Sequence, residues 1–317
     1  MKVLSNTASG HAHGKIILIG EHAVVHNEPA IAIPFTSANV KVTIEHILGE
    51  STIDSIYHTG KLTDAPKTLN NLIKTLEAVC LHFETRPDNM HIKITSNIPA
   101  ERGMGSSAAV ATALVRALFN YFDAELTDEL LNDFVSISEM VAHGNPSGLD
   151  AKVVRSEESV YFVKNQGAEF FKVELPGYLI VADTGQYGET GVAVTDVGTL
   201  VADVKTCAKA MISELGELTN QARKKIEDKD MKGLGKILSE AQLRLEKLTV
   251  SNKTLDLFVN TANRHGALGA KLTGGGRGGC MIALADLPET AENIAKSLLD
   301  AGAVDVWIHS LGVQTYD

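Results

Sequence analysis

From Met90 to Phe122 the chain reads as a strand, a glycine loop and a helix in direct succession, and no other segment restricts the fold as much. "MHIKITSNIP" alternates apolar and polar residues from Met90 to Ile98 and stops at Pro99, the pattern of a half-buried strand with a defined end. "AERGMGSSAAV" follows, with glycines at 103 and 105 and serines at 106 and 107. Ala108 to Phe122 is helical on propensity alone. A glycine loop that opens a helix presents unpaired backbone N–H groups and the positive end of the helix dipole, so it suits a phosphate.

Two phosphate ligands fit such a loop. Gly103-x-Gly105-x-x-Ala108 matches a loose dinucleotide fingerprint, which needs its first glycine directly after a buried strand and an acidic residue ending the next strand. Here Ile98 to Arg102 intervene, and Asp123, at a suitable distance, ends a helix. The triphosphate of ATP is the alternative, with serine hydroxyls able to ligate Mg²⁺. No G-x-x-x-x-G-K-[ST] sequence occurs, so a nucleotide site would be of another type. A tight turn with serine helix caps is the third reading, and the loop alone leaves the choice open.

The remaining sequence narrows the class. A length of 317 residues accommodates one large or two ordinary domains. The net charge of −10 argues against broad binding to nucleic acid or an anionic membrane. Cys80, Cys207 and Cys280 are far apart and form no C-x-x-C pair, so free thiols are expected. Ile16–Ile19 is too short for the apolar core of a signal peptide, and no apolar run approaches the roughly 20 residues of a membrane span. The expectation is a cytoplasmic protein.

"GKIILIGEHAVV" reads as a strand, a turn and a second strand. Helices are expected over 69–83, 127–143, 191–218, 220–248, 256–266 and 289–301, and strands over "SVYFV", "YLIVAD", "GAKLT", "CMIAL" and "AVDVWIHSL". Thr127 is placed to cap the second helix, with Asp128 and Glu129 at its positive end. The mixture lacks the regular alternation of a doubly wound sheet, so the class is α+β, with two domains, 1–175 and 176–317.

Three distant segments bear on the loop. "GKIILIGEHAVVHNEPAIAIP" carries Lys15, Glu21 and His22 around a strand and its turn. "SEMVAHGNPSGLDAKVV" carries Glu139, Ser147 and Asp150; by periodicity Glu139 lies on a polar helix face with Asn132, Ser136 and His143. "KLTGGGRGGCMIAL" is so rich in glycine, including Gly274, Gly275 and Gly276, that close backbone approach to a ligand is expected.

With the loop, these segments resemble the GHMP kinases, the family of galactokinase, homoserine kinase, mevalonate kinase and phosphomevalonate kinase. Pro99 to Ala109 matches the family's P-x-x-x-G-L-G-S-S-A-A motif with Met104 in place of leucine, and the resemblance runs along the whole chain in order. "KIILIGEHAVVH" with "HGNPSGLD" is similar to the mevalonate-kinase branch, and the compact length and "ERGMGSSAA" to its bacterial members. Glu101-Arg102 departs from the Gly-Ala pair common in animal members.

The resemblance implies a two-domain fold, ribosomal-S5-like at the N-terminus and ferredoxin-like at the C-terminus, and a homodimer is common in the branch. It implies transfer of the ATP γ-phosphoryl group to the primary hydroxyl of mevalonate, with phosphomevalonate as the alternative acceptor. Asp150 would be the base and Lys15 the cation beside it; Ser107 and Glu139 would hold Mg²⁺. Arg102, Gly103, Met104, Gly105, Ser106 and Ser107 would bind ATP, Glu21, His22, Ser147 and Thr184 the acceptor, and Gly274 to Gly276 would wall the phosphates. Of the rivals, a Ser/His/Asp hydrolase using His22, His143 or Asp150 lacks the G-x-S-x-G elbow. A non-catalytic nucleotide sensor would be expected to lose Lys15 and Asp150.

Overall fold

The computed structural model describes residues 6–144 and 148–312, and two compact units emerge from its contacts. The first holds the chain up to Lys15, Phe35–Ala100 and Gly105–Ser156; the second holds Ile16–Pro34, Glu101–Met104 and the chain from Glu157 on. Two short early segments, Ile16–Pro34 and Glu101–Met104, thus pack with the second half of the chain. No helix among the described residues is long and apolar enough to cross a membrane.

Strands β1 (Thr7–Ile19) and β2 (Ala30–His46) contribute to both units. In the first unit the C-terminal half of β2 buries Val40, Val42 and Ile44 on one face, the period-2 pattern of its sequence. It pairs antiparallel with β5 (Met90–Ser96). β5 pairs parallel with β3 (Thr52–Ser55), which forms a hairpin with β4 (His58–Lys61). Helices α1 (Asn70–His82), α2 (Ser106–Tyr121) and α3 (Asp128–His143) pack on one another, and the short α4 (Leu149–Val153) follows. Thr127 caps α3 by accepting from the Leu130 N–H, as its position predicts. Phe119 and Phe134 join α2 to α3, their rings 5.9 Å apart.

The second unit begins its later run with the hairpin β6 (Ser159–Val163) and β7 (Gly167–Phe171), β6 pairing with the start of β2. Next come β8 (Tyr178–Asp183), α5 (Thr190–Ala202), α6 (Ala208–Glu227), α7 (Met231–Lys247) and α8 (Lys253–Arg264). β9 (Gly269–Thr273), β10 (Cys280–Ala285), α9 (Pro288–Asp300) and β11 (Asp305–Ser310) complete it. The strands lie in the order β11-β8-β10-β9 with every neighbour antiparallel. With α8 before β9, α9 between β10 and β11, and both helices packed on this sheet, the arrangement is the ferredoxin-like split βαβ.

Two expectations change. The two long helices over 191–218 and 220–248 are three. The first break is at Asp203, whose carboxylate accepts from the Lys205 N–H while Thr206 Oγ donates to Leu200 and Asp203 carbonyls. The second is at Lys229, in left-handed backbone (φ 54°), after which Asp230 caps α7 through the Gly233 N–H. The other change lies after β1, where a 3₁₀ turn over Ala23–His26 stands in place of a second strand. Glu21 and His22 are buried there, and leaving the strand brings them to polar partners. Cys80, Cys207 and Cys280 are free, as expected.

Candidate active site

In the first unit, Lys15 near the middle of β1 and Asp150 in α4 form an ion pair, Nζ to Oδ1 at 3.0 Å. The lysine side chain is 3% exposed and the carboxylate 34%, so the cation is enclosed and the carboxylate is reachable from solvent. Gly105 lies against the lysine stem. A Cβ at 105 would sit 2.9 Å from Lys15 Cγ and 3.1 Å from Val154 Cγ1, and its φ of +71° is left-handed. Glycine alone satisfies both conditions. Gly105 is also the N-cap of α2 and no side chain caps that helix end, so the serines do not serve as helix caps. Ser106 and Ser107 are the first two helical residues, beside N–H groups without helical partners.

Ser107 is tied into a polar junction of three helices. Asn71 on α1 donates through Nδ2 to Ser138 Oγ on α3 at 2.9 Å and to Ser107 Oγ on α2 at 3.4 Å. The next residue, Glu139, is 5% exposed, so the polar helix face anticipated from periodicity is covered at this position. A carboxylate held this far from water requires compensating polar or cationic groups.

In the second unit, Glu21 and Lys271 form a fully buried ion pair, and Lys271 Nζ also donates to the Leu272 carbonyl at 2.6 Å. Burial pushes the Lys271 ammonium down while the Glu21 carboxylate opposes that shift. His22 adopts left-handed backbone (φ 60°), and burial lowers its imidazole to about 4, against the opposing pull of the Gly275 carbonyl. The ring is therefore neutral at pH 7. Nε2–H donates to Gly275 O at 3.0 Å, which leaves Nδ1 as a buried acceptor with no hydrogen-bond partner among the described residues. Thr184 is buried, and its hydroxyl donates to Gly279 O at 2.7 Å.

Arg102 donates through Nε to Asp183 Oδ1 at 2.8 Å and through Nη2 to Gly185 O at 2.9 Å, with its guanidinium 4.5 Å from the centre of the Tyr187 ring. The two glycine-rich segments meet next to it. Gly103 and Gly274 both have positive φ, and a Cβ on either would come within 3.0–3.2 Å of the other's Cα. Met104 is buried.

Ser147 lies outside the described residues, as does the side chain of His143. Asn71, Asp183 and Lys271 carry no expectation from the sequence. An asparagine near a helix start, an acid at a strand end and a lysine inside an apolar strand acquire meaning through partners 36 to 250 positions away.

The model of the GHMP kinases N terminal domain matches residues 70–154, and that of the GHMP kinases C terminal domain matches residues 222–304. A mevalonate kinase from Thermococcus sibiricus is 33% identical over 96% of this chain and 95% of its own length. The structure of a mevalonate kinase from methicillin-resistant Staphylococcus aureus is 34% identical, with a TM-score of 0.74 over 98% of this chain and all of that one. That of an L. major mevalonate kinase in complex with R-mevalonate is 26% identical, with a TM-score of 0.82 over 98% of each chain. The curated relatives behind the assignment are archaeal rather than bacterial. Compact length does not separate the two groups, since the archaeal relative is covered almost end to end. In sequence and in fold alike, the chain belongs to the GHMP kinase family of ATP-dependent kinases.

Proposed function

We propose that the protein is a mevalonate kinase, transferring the ATP γ-phosphoryl group to the primary hydroxyl of mevalonate. The observation that carries this reading is the Lys15–Asp150 pair beside Gly105, at the entry to α2. Phosphoryl transfer needs positioning, charge neutralisation and an oriented nucleophile. Asp150 accepts the proton of the acceptor hydroxyl as its oxygen forms a bond to the γ-phosphorus and the bond to ADP breaks. Lys15 orients that carboxylate and stabilises negative charge on the hydroxyl and the transferred group. The α2 N–H groups at Ser106 and Ser107, with the glycine backbone before them, receive the phosphates.

The buried carboxylate of Glu139 and the Ser107 hydroxyl are the oxygen donors a Mg²⁺ ion would use. Two protein ligands suit an ion that keeps waters and phosphate oxygens. When bound, it supplies neutralisation of phosphate charge. Glu21, His22, Ser147 and Thr184 are assigned to the acceptor, with Gly274 to Gly276 beside the phosphates. The domain division 1–175 and 176–317, a homodimer and a cytoplasmic location belong to the same reading.

A coupled ADP-release assay over mevalonate, phosphomevalonate, galactose and homoserine tests it. Turnover with mevalonate and little with the others is expected. Strong turnover of another acceptor with none on mevalonate overturns the assignment.

A further inference from the structure

Glu101-Arg102 is the part of the phosphate loop that departs from the pattern in animal members, and the structure assigns it a role. We propose that Arg102 is a positioning residue: through Asp183 it clamps the first half of the loop to the end of β8, and it does not itself bind nucleotide. The proposal rests on reading 103–107 as the ATP phosphate site.

The contacts form one set within the second unit. Arg102 Nε and Nη2 grip Asp183 Oδ1 and Gly185 O, while the same Asp183 oxygen accepts from the Gly185 N–H at 2.9 Å. One carboxylate oxygen thus ties the arginine and the turn after β8 together. Tyr187 lies under the guanidinium, and the Gly188 N–H donates to Glu101 O at 2.9 Å. Glu101 itself holds left-handed backbone (φ 57°), a conformation that persists in a residue other than glycine only when its surroundings enforce it.

The need for a clamp follows from the next residues. Gly103 and Gly105 leave the backbone close to a phosphate, and they also leave it free to move, which weakens any preorganised cradle. A planar fork gripping two acceptors just before Gly103 removes that freedom; the lysine ammonium has no such fork. Arg102 and Asp183 are 11% and 5% exposed, and a pair removed from water to this degree contributes more to defining geometry than to net stability.

The test compares Arg102→Ala, Arg102→Lys, Asp183→Asn and the double variant R102A/D183N. ATP affinity is measured by calorimetry without acceptor, alongside kcat, both KM values and Tm. Each single variant is expected to weaken ATP binding about tenfold, with KM for the acceptor changed by no more than about twofold. The double variant is expected to be no worse than Arg102→Ala, because the two side chains act as one unit. A loss in Arg102→Ala with unchanged affinity in Asp183→Asn means the arginine touches the nucleotide and overturns the clamp. Losses that multiply in the double variant, or a lowered Tm with unaltered ATP affinity, overturn it equally. Normal ATP binding by the wild-type chain without turnover of any acceptor would sink the acceptor assignment and leave the clamp standing; failure of the wild-type chain to bind ATP would sink both.

Discussion

Lys15 Nζ lies 3.0 Å from Asp150 Oδ1, and the two differ tenfold in exposure, 3% against 34%. The cation is sealed into the first unit while the carboxylate faces outward, the division of labour expected of a fixed electrostatic support and a working base. Asp150→Asn keeps the shape and removes the basicity. It is expected to lower kcat by about 10²–10⁴-fold while ATP affinity stays within about twofold of wild type. Near-normal turnover would show that Asp150 is not the base.

Gly105 is where loop geometry and the Lys15 side chain meet. Gly105→Ala forces an alanine into left-handed backbone, at a site where its methyl presses on Lys15 Cγ. The strain is expected to cost about 1–3 kcal/mol of stability. Displacing the lysine is expected to lower kcat by at least about tenfold, since small misplacements at reacting centres are costly. A variant with reduced Tm and an unchanged kcat contradicts the link between loop and lysine.

The Glu21–Lys271 pair is completely buried, so breaking it from one side strands a charge. Lys271→Met is expected to destabilise by about 3–5 kcal/mol in urea titrations. Combining it with Glu21→Gln should recover much of that loss, because no uncompensated ion then remains. Equal destabilisation in the single and double variants would mean that packing around the lysine stem, rather than the charge, is what matters.

His22 makes stability depend on pH with a definite sign. Its imidazole is lowered to about 4 in the folded chain from an ordinary value of 6.5, so between these limits the unfolded chain binds the extra proton. The contribution is fully present above pH 6.5 and is lost as pH falls towards 4, reaching about 3 kcal/mol. His22→Gln retains a donor for the Gly275 carbonyl and does not titrate. Its stability curve between pH 7 and 4.5 is expected to be flatter than that of the wild type; parallel curves would remove His22 as the cause.

The local elements around the loop were legible from short-range information. Pro99, the glycines at 103 and 105 and the alanine-rich run after them locate a strand end, a turn and a helix within a residue or two, as Thr127 locates the start of α3. These are backbone preferences that act between near neighbours. The breaks at Asp203 and Lys229 were less legible, because amphipathic spacing carries on across a short polar turn. The surroundings of Glu139, Lys271 and Arg102 were decided by packing. Glu139 reads as a solvated residue but is buried in the folded chain, and Lys271 reads as an oddity in an apolar strand until Glu21, 250 residues away, arrives beside it. Arg102 is one more charge in a polar stretch until Asp183 takes its guanidinium. The sequence by itself determined where most strands and helices and the glycine turn before α2 form, because those depend on neighbours along the chain. Only the tertiary structure decided which charges meet out of reach of water, because desolvation and pairing depend on neighbours in space.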